Sequence, residues 1–315
     1  MPDHAARSEY VPRRQAHSLF VRVRGLDYHV NTWGDASLVT PERPPLVMVH
    51  GWMDVGASFQ FVVDALAEVE GVARRVLAPD WRGFGLTAGG SVDTYWFPDY
   101  LGDLDALLRH FASEAPGGRF DLVGHSMGGN IAMQYAGVRP GRIRRLANLE
   151  GYGLPRNEPA DAPRRLANWL DALAEPQSMR GYASLDEVAA RLVKNNPRLA
   201  RDKARWLAAH WARPDADGQW RILGDPPHKR PNPITYRVDE MLETWKLVAA
   251  PLLWVEADAS NPSTWWGNRY TGAEFHERLS VVPRVERHVL ADCGHMLHHD
   301  QPHALAERLA AFLAP

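Results

Sequence analysis

Apolar residues recur along this chain with two different periods, and the order of those periods predicts alternating strands and helices. "LFVRVR" (19–24) and "DYHVNTW" (27–33), parted by Gly25, read as a strand pair. "LVMV" at 46–49 is short and wholly apolar, as expected of a strand buried on both faces of a parallel sheet. A helical stretch follows at about 57–69, and "RRVLAPDWRGFG" then runs a strand into a glycine turn. Leu104, Leu107, Leu108 and Phe111 return at helical spacing. "RFDLVGHS" is again a strand entering a turn, "MGGNIAMQYAGVRP" a helix stopped by Pro140, and "IRRLANLE" (143–150) the next strand. Strands come back at "PLLWVE" (251–256) and "VERHVL" (285–290). A helix over about 302–313 closes the chain, with Leu305, Leu309, Phe312 and Leu313 facing inward.

Between Gly151 and about Thr244 the alternation stops and the pattern turns helical. "SLDEVAARLV" opens with a capping box, Ser184 to Glu187, and sets Leu185, Val188 and Leu192 on one face. Strand–helix alternation broken by a helical insertion predicts an α/β fold: a doubly wound, mostly parallel sheet with a helical cap. The expected division is a loose tail over 1–15, a core made of 16–150 and 246–315, and a cap over 151–245.

Composition narrows the function classes. A chain of 315 residues can bury a sizeable core. The formal net charge of −2 gives no electrostatic basis for binding nucleic acid or an anionic membrane. No apolar run approaches the ~20 residues of a membrane helix, and the basic start lacks the apolar segment of a secretory signal. The single cysteine, Cys293, excludes an intrachain disulfide and fits a reducing compartment. A cytoplasmic enzyme acting on a small molecule, monomeric or homodimeric, is the expectation.

The chemistry centres on "LVGHSMGGN" (122–130), where Ser126 stands between glycines at a strand-to-helix junction. A tight turn there projects a serine hydroxyl above the sheet, and small flanking residues let neighbouring backbone approach. The N–H of Met127, at the helix start, then points at a developing oxyanion. A second donor would come from "VMVHGWMD": Gly51 allows the bend and the N–H of Trp52 faces the substrate. A general base is supplied by "LADCGHMLHHDQP", with His295 after a glycine and before the final helix. His298 and His299 beside it do not complete a metal-ligand pattern, and no acidic or cysteine partner stands at matching spacing, so no metal is expected. Both read as solvated or helix-start residues, and Cys293 as a small buried hydrophobe.

Taken together, His50-Gly51, "APDWRGFG" (78–85), "GHSMGG" (124–129) and "GHMLHHDQP" (294–302) resemble, in order and spacing, the α/β-hydrolase fold superfamily. The likeness spans nearly all of the chain outside the first 15 residues and the cap, and it is closest to the serine-hydrolase-like and carboxylesterase branch. Relatives with an aspartate nucleophile are disfavoured because position 126 is serine. The resemblance implies Ser126 as nucleophile, His295 as base and the N–H groups of Trp52 and Met127 as oxyanion hole, with Asp80 structural. It also exposes a departure. The family's usual acid position, about nine residues beyond a proline such as Pro251, holds Ser260; Asp258 lies two residues earlier, and Glu256 earlier still. The fold's other acid location, after the strand that follows the nucleophile helix, holds Glu150. Glu150 is preferred, with Asp258 as the alternative.

The cap is rich in tryptophan. Most of these rings are expected to pack the lid onto the sheet, while Trp169, Trp206, Trp211 and Trp245 are candidates to line an apolar pocket above Ser126. The expected function is a serine hydrolase cleaving a carboxylic ester through an acyl-enzyme, without a cofactor. A thioesterase, a lactonase, a carbon–carbon bond hydrolase or a cofactor-free perhydrolase would use the same groups. A non-catalytic binding protein of this fold is the alternative from another class.

Overall fold

The computed structural model describes residues 9–315. The strand pair becomes an antiparallel hairpin of β1 (His17–Val23) and β2 (Leu26–Trp33), turned at Gly25. Then come β3 (Leu46–Val49), helix α1 (Gln60–Glu70), β4 (Val76–Pro79), α2 (Phe97–His110), β5 (Phe120–His125), α3 (Met127–Val138) and β6 (Ile143–Leu149). After the insertion the alternation resumes with β10 (Leu252–Ala257), β11 (Val285–Leu290) and the closing helix α11 (Pro302–Leu313). These strands form one eight-stranded sheet in the order β1-β2-β4-β3-β5-β6-β10-β11. β1, β2 and β4 pair antiparallel, and every pairing from β4 through β11 is parallel.

The period-2 alternation of β3 explains why the sheet is covered on both sides. Val47 and Val49 face one apolar layer, with Leu104 and Leu107 of α2 and Ile131 and Tyr135 of α3. Leu46 and Met48 face the other, with Val62 and Leu66 of α1 and Leu305 and Leu309 of α11. All four side chains of the strand are buried, each worth ~1.5–3 kcal/mol over exposure. The loops at the C-terminal ends of β3, β5, β6, β10 and β11 therefore open on one edge of the sheet, where such folds bind ligands.

The insertion contains α4 (Ala162–Ala174), α5 (Leu185–Asn195), α6 (Arg201–Trp211) and α7 (Val238–Trp245). Ser184 caps α5 by accepting from Glu187 N–H at 3.2 Å, but Glu187 reaches back to Ala183 N–H rather than to Ser184. A purely helical cap is corrected in one respect. The short strands β7 (Gly181–Tyr182), β8 (Ala212–Pro214) and β9 (Trp220–Ile222) form a three-stranded antiparallel sheet, too short for their periodicity to register in the sequence. Beyond β10, two short helices, α8 (Ser263–Trp266) and α9 (Gly272–Leu279), precede β11, and α10 (Leu297–Asp300) precedes α11.

The described part of the segment before β1 packs on the core. Tyr10 packs edge-on against Phe61 and Trp206 and donates its hydroxyl to Asp64 at 2.5 Å. Asp64 also accepts the N–H groups of Arg13 and Arg14. A buried carboxylate thus ties a polar segment that has no periodicity of its own. Residues 1–8 lie outside the described residues. Among the described residues no helix is long and apolar enough to cross a membrane.

Candidate active site

Ser126 closes β5 and caps α3 with φ 51° and ψ −116°, a backbone region that an L-residue occupies only when its surroundings force it. Two constraints do the forcing. Ser126 N–H donates to Leu149 O at 2.8 Å, binding the turn to β6. Glycines let the backbones close in: a Cβ on Gly128 would lie 2.2 Å from Val49 O, and one on Gly124 would lie 2.4 Å from Gly128 O. Gly128→Ala is accordingly expected to cost about 3 kcal/mol or more, since the added methyl meets the backbone carbonyls of Val49 and His50 and not a movable side chain. Equilibrium denaturation in urea checks this value.

His295, in the loop between β11 and α10, brings Nε2 within 3.0 Å of Ser126 Oγ. Its Nδ1–H donates to Glu150 Oε2 at 2.7 Å. Glu150 follows β6 with φ 55° and is buried, and it is held on four sides: Oε1 accepts from Ala257 N–H (2.8 Å) and Tyr152 OH (3.1 Å), and Oε2 accepts from Ser260 OH (2.7 Å) as well as from His295. Hydroxyl, imidazole and carboxylate thus form a continuous relay. Such an arrangement can remove the proton of a serine hydroxyl as it attacks and stabilise the imidazolium that results.

Asp258 lies elsewhere in this arrangement. Its carboxylate accepts the N–H groups of Asp292 (2.9 Å) and Cys293 (3.2 Å), which hold its pKa below the ordinary carboxylate range. It fastens the start of the loop that carries His295. Glu256 pairs with His276 at 2.9 Å. Cys293 is fully buried, and burial pushes its thiol up to about 12, far from nucleophilic character.

The loop after β3 is ordered by His50. Its Nδ1–H donates to Gly51 O at 2.8 Å, its Nε2 accepts Trp81 N–H at 2.9 Å, and Trp81 Nε1–H returns a bond to His50 O at 3.0 Å. Trp52 follows with its side chain half exposed. Met127 is the first residue of α3, so its N–H is among those a helix leaves without an internal partner. Asp80 accepts Gly56 N–H (2.7 Å), Leu86 N–H (2.9 Å) and His29 Nδ1–H (2.8 Å), binding the loops after β3 and β4 to strand β2.

Two readings of side chains are corrected. His298 and His299 begin α10 but are buried, not solvated. Burial pushes His299 down to about 3, and the same cause lowers His125 well below the ordinary range. Among the tryptophans, Trp245 belongs to the core layer beneath α3, and Trp211 is buried with Nε1–H on Asp54 at 3.0 Å. Trp206 packs on Tyr10 and Phe61. Trp169 is half-buried on α4. The ring set against His295 is Trp265, edge-on at 4.6 Å between centroids. Sequence reasoning passed over Trp265, Tyr152 and Ser260 as site residues; only the vacated acid position at Ser260 hinted at one of them.

Comparison with known proteins matches this architecture. The family model described as "Alpha/beta hydrolase family" matches residues 46–308. The chain is 24% identical over 283 residues to a "Serine hydrolase-like protein" of Danio rerio, covering 86% of this chain and 82% of that protein. It is 36% identical over 127 residues to the 2-hydroxymuconate semialdehyde hydrolase of Pseudomonas sp. (strain CF600), covering 38% of this chain and 41% of that one. Among solved structures, a thioesterase domain from the curacin biosynthetic pathway superposes with a TM-score of 0.77 at 26% identity, covering 94% of this chain and 99% of that domain. A mostly parallel sheet with a sharp serine turn after β5 and a histidine loop after β11, matched by one family model from β3 into α11, places the chain in the alpha/beta hydrolase family.

Proposed function

We propose that this protein is a serine hydrolase that cleaves a carboxylic ester or related acyl bond through an acyl-enzyme on Ser126. The observation that carries this reading is the unbroken relay from Ser126 Oγ through His295 to Glu150. Ser126 Oγ attacks the carbonyl carbon while His295 Nε2 takes its proton. Glu150 keeps Nδ1 protonated and offsets the imidazolium charge. The N–H groups of Trp52 and Met127 receive the oxyanion. The imidazolium then returns its proton to the leaving alkoxide as the tetrahedral intermediate collapses. A water molecule, deprotonated by His295, attacks the acyl-enzyme and restores the serine. No cofactor enters these steps.

Residues 151–245 act in this reading as the lid that shapes the substrate site. A cavity of about 540 Å³, lined by Trp96, Leu154, Tyr236, Met241 and Trp266, lies between this segment and the core. Trp266 packs ring to ring with Trp265 at 5.6 Å, and Trp265 in turn lies against His295. Its size is that of a small-molecule site, and its aromatic and aliphatic residues, flanked by Arg165, Arg237, Arg269 and Glu240, fit an acyl chain that carries a polar end. Acyl esters of graded chain length are expected to show kcat/KM rising beyond acetyl.

A fluorophosphonate probe tests the reading directly. Intact mass spectrometry is expected to show one phosphonyl adduct on the wild type and none on Ser126→Ala. A folded wild-type protein that stays unlabelled would hand the fold to the non-catalytic binding role.

A further inference from the structure

Three side chains that the proposed reaction does not use meet in the dry layer behind it. Asp54 comes from the loop after β3, and His298 and His299 form the start of α10. Their relative exposures are 3%, 0% and 4%, and each can bring one donor atom within 4.8 Å of those of the other two. Asp54 stands too far back in the chain for spacing to pair it with these histidines; the packing of α10 against the turn before α1 brings them together.

The carboxylate is oriented by donors on both oxygens. Asp54 Oδ1 accepts from Val55 N–H (2.9 Å) and Trp211 Nε1–H (3.0 Å), and Oδ2 accepts from Ser58 OH (2.8 Å). Beside it stand two imidazoles, His298, whose Nε2 lies 3.5 Å from Oδ2, and His299. Two imidazole nitrogens, His298 Nδ1 and His299 Nε2, are buried with no hydrogen-bond partner among the described residues. A buried imidazole nitrogen left unpaired costs free energy, and a cation held among Asp54, His298 and His299 relieves that cost at His299 Nε2.

We propose that Asp54, His298 and His299 form a binding site for one divalent transition-metal ion of the zinc class. Two imidazole nitrogens and one carboxylate oxygen suit such an ion, whereas magnesium and calcium favour all-oxygen sets. Val55, Ser58 and Trp211 already hold the carboxylate as outer-shell groups hold a metal ligand. The site adjoins the active centre without entering it. The His298 ring lies 4.4 Å from that of His125, and His125 Nε2–H donates to His295 O at 2.8 Å. A bound ion ties the loop after β3 to α10 and so braces the loop that carries His295.

The test uses the full-length protein, stripped with a chelator, dialysed, and titrated with Zn²⁺ and Co²⁺ by calorimetry. One equivalent is expected to bind with micromolar or tighter affinity, to raise the thermal midpoint, and with Co²⁺ to give the visible absorption of nitrogen and oxygen coordination. His299→Gln and Asp54→Asn are each expected to weaken binding by at least about 100-fold, since outer-shell changes alone cost about 10–100-fold. Ser126→Ala is expected to bind Zn²⁺ like the wild type, which separates this site from the serine chemistry. His303→Gln, at an exposed histidine, is expected to do the same. If Asp54→Asn does not fold, His299→Gln and the wild-type Co²⁺ spectrum decide. No Zn²⁺ uptake by the stripped wild type, or undiminished uptake by folded His299→Gln, overturns the site.

Discussion

Replacing Ser126 with alanine is expected to lower kcat for acyl-ester hydrolysis by at least about 10⁴, on the scale of serine removal from other hydroxyl–imidazole–carboxylate sets. The hydroxyl makes its one side-chain bond to His295, at 3.0 Å. Alanine keeps the Cβ, and the backbone bonds that hold the turn, Ser126 N–H to Leu149 O and Asn130 N–H to Ser126 O, do not involve the hydroxyl. The variant should therefore fold, with a thermal midpoint within a few degrees of wild type. Steady-state kinetics beside circular dichroism check both parts. A folded variant that keeps most of its kcat would remove Ser126 from the mechanism.

Glu150→Gln is expected to cost about 10³–10⁴ in kcat, the scale of losing a carboxylate that fixes a histidine tautomer. The cause lies in donors and acceptors rather than in size. Glu150 now receives four N–H or O–H bonds, from His295, Ala257, Tyr152 and Ser260. An amide in its place must point its NH₂ group at one of those donor pairs. Turned toward Oε2, it favours the imidazole tautomer with the proton on Nε2, which cannot accept from Ser126. Asp258→Asn is expected to cost no more than about tenfold, because Asp258 bonds the backbone N–H groups of Asp292 and Cys293 rather than His295, and an amide keeps one of those two bonds. Both variants assayed with one substrate decide the acid; the reverse ranking assigns it to Asp258.

The local sequence determined most of what surrounds this site. The wholly apolar run at 46–49 and the alternation around it were enough to place a central parallel strand, because a strand covered on both faces buries nearly every side chain and so favours apolar ones. Gly124 and Gly128 marked the sharp turn for a reason visible without coordinates: only hydrogen in place of Cβ permits so close a backbone approach. Periodicity also foretold the closing helix over Pro302–Leu313. The small sheet of β7, β8 and β9 went unseen because strands of two or three residues are too short to show a period.

The tertiary structure alone decided which distant groups meet. Glu150 and Asp258 are both carboxylates near strand ends, and position along the chain favoured Glu150 without showing which of them faces His295. The order of the sheet does: β6 and β10 are neighbours, so Ser260, Ala257 and Tyr152 converge on the Glu150 carboxylate while His295 reaches it from the loop after β11. Asp54 and the His298–His299 pair were likewise unrelated in sequence until α10 packed against the turn before α1. Sequence patterns report which residues are buried and how the chain bends, since both are local consequences of side-chain size and polarity. Which buried polar groups share a hydrogen bond is set by strand order and loop closure, and these are properties of the whole chain.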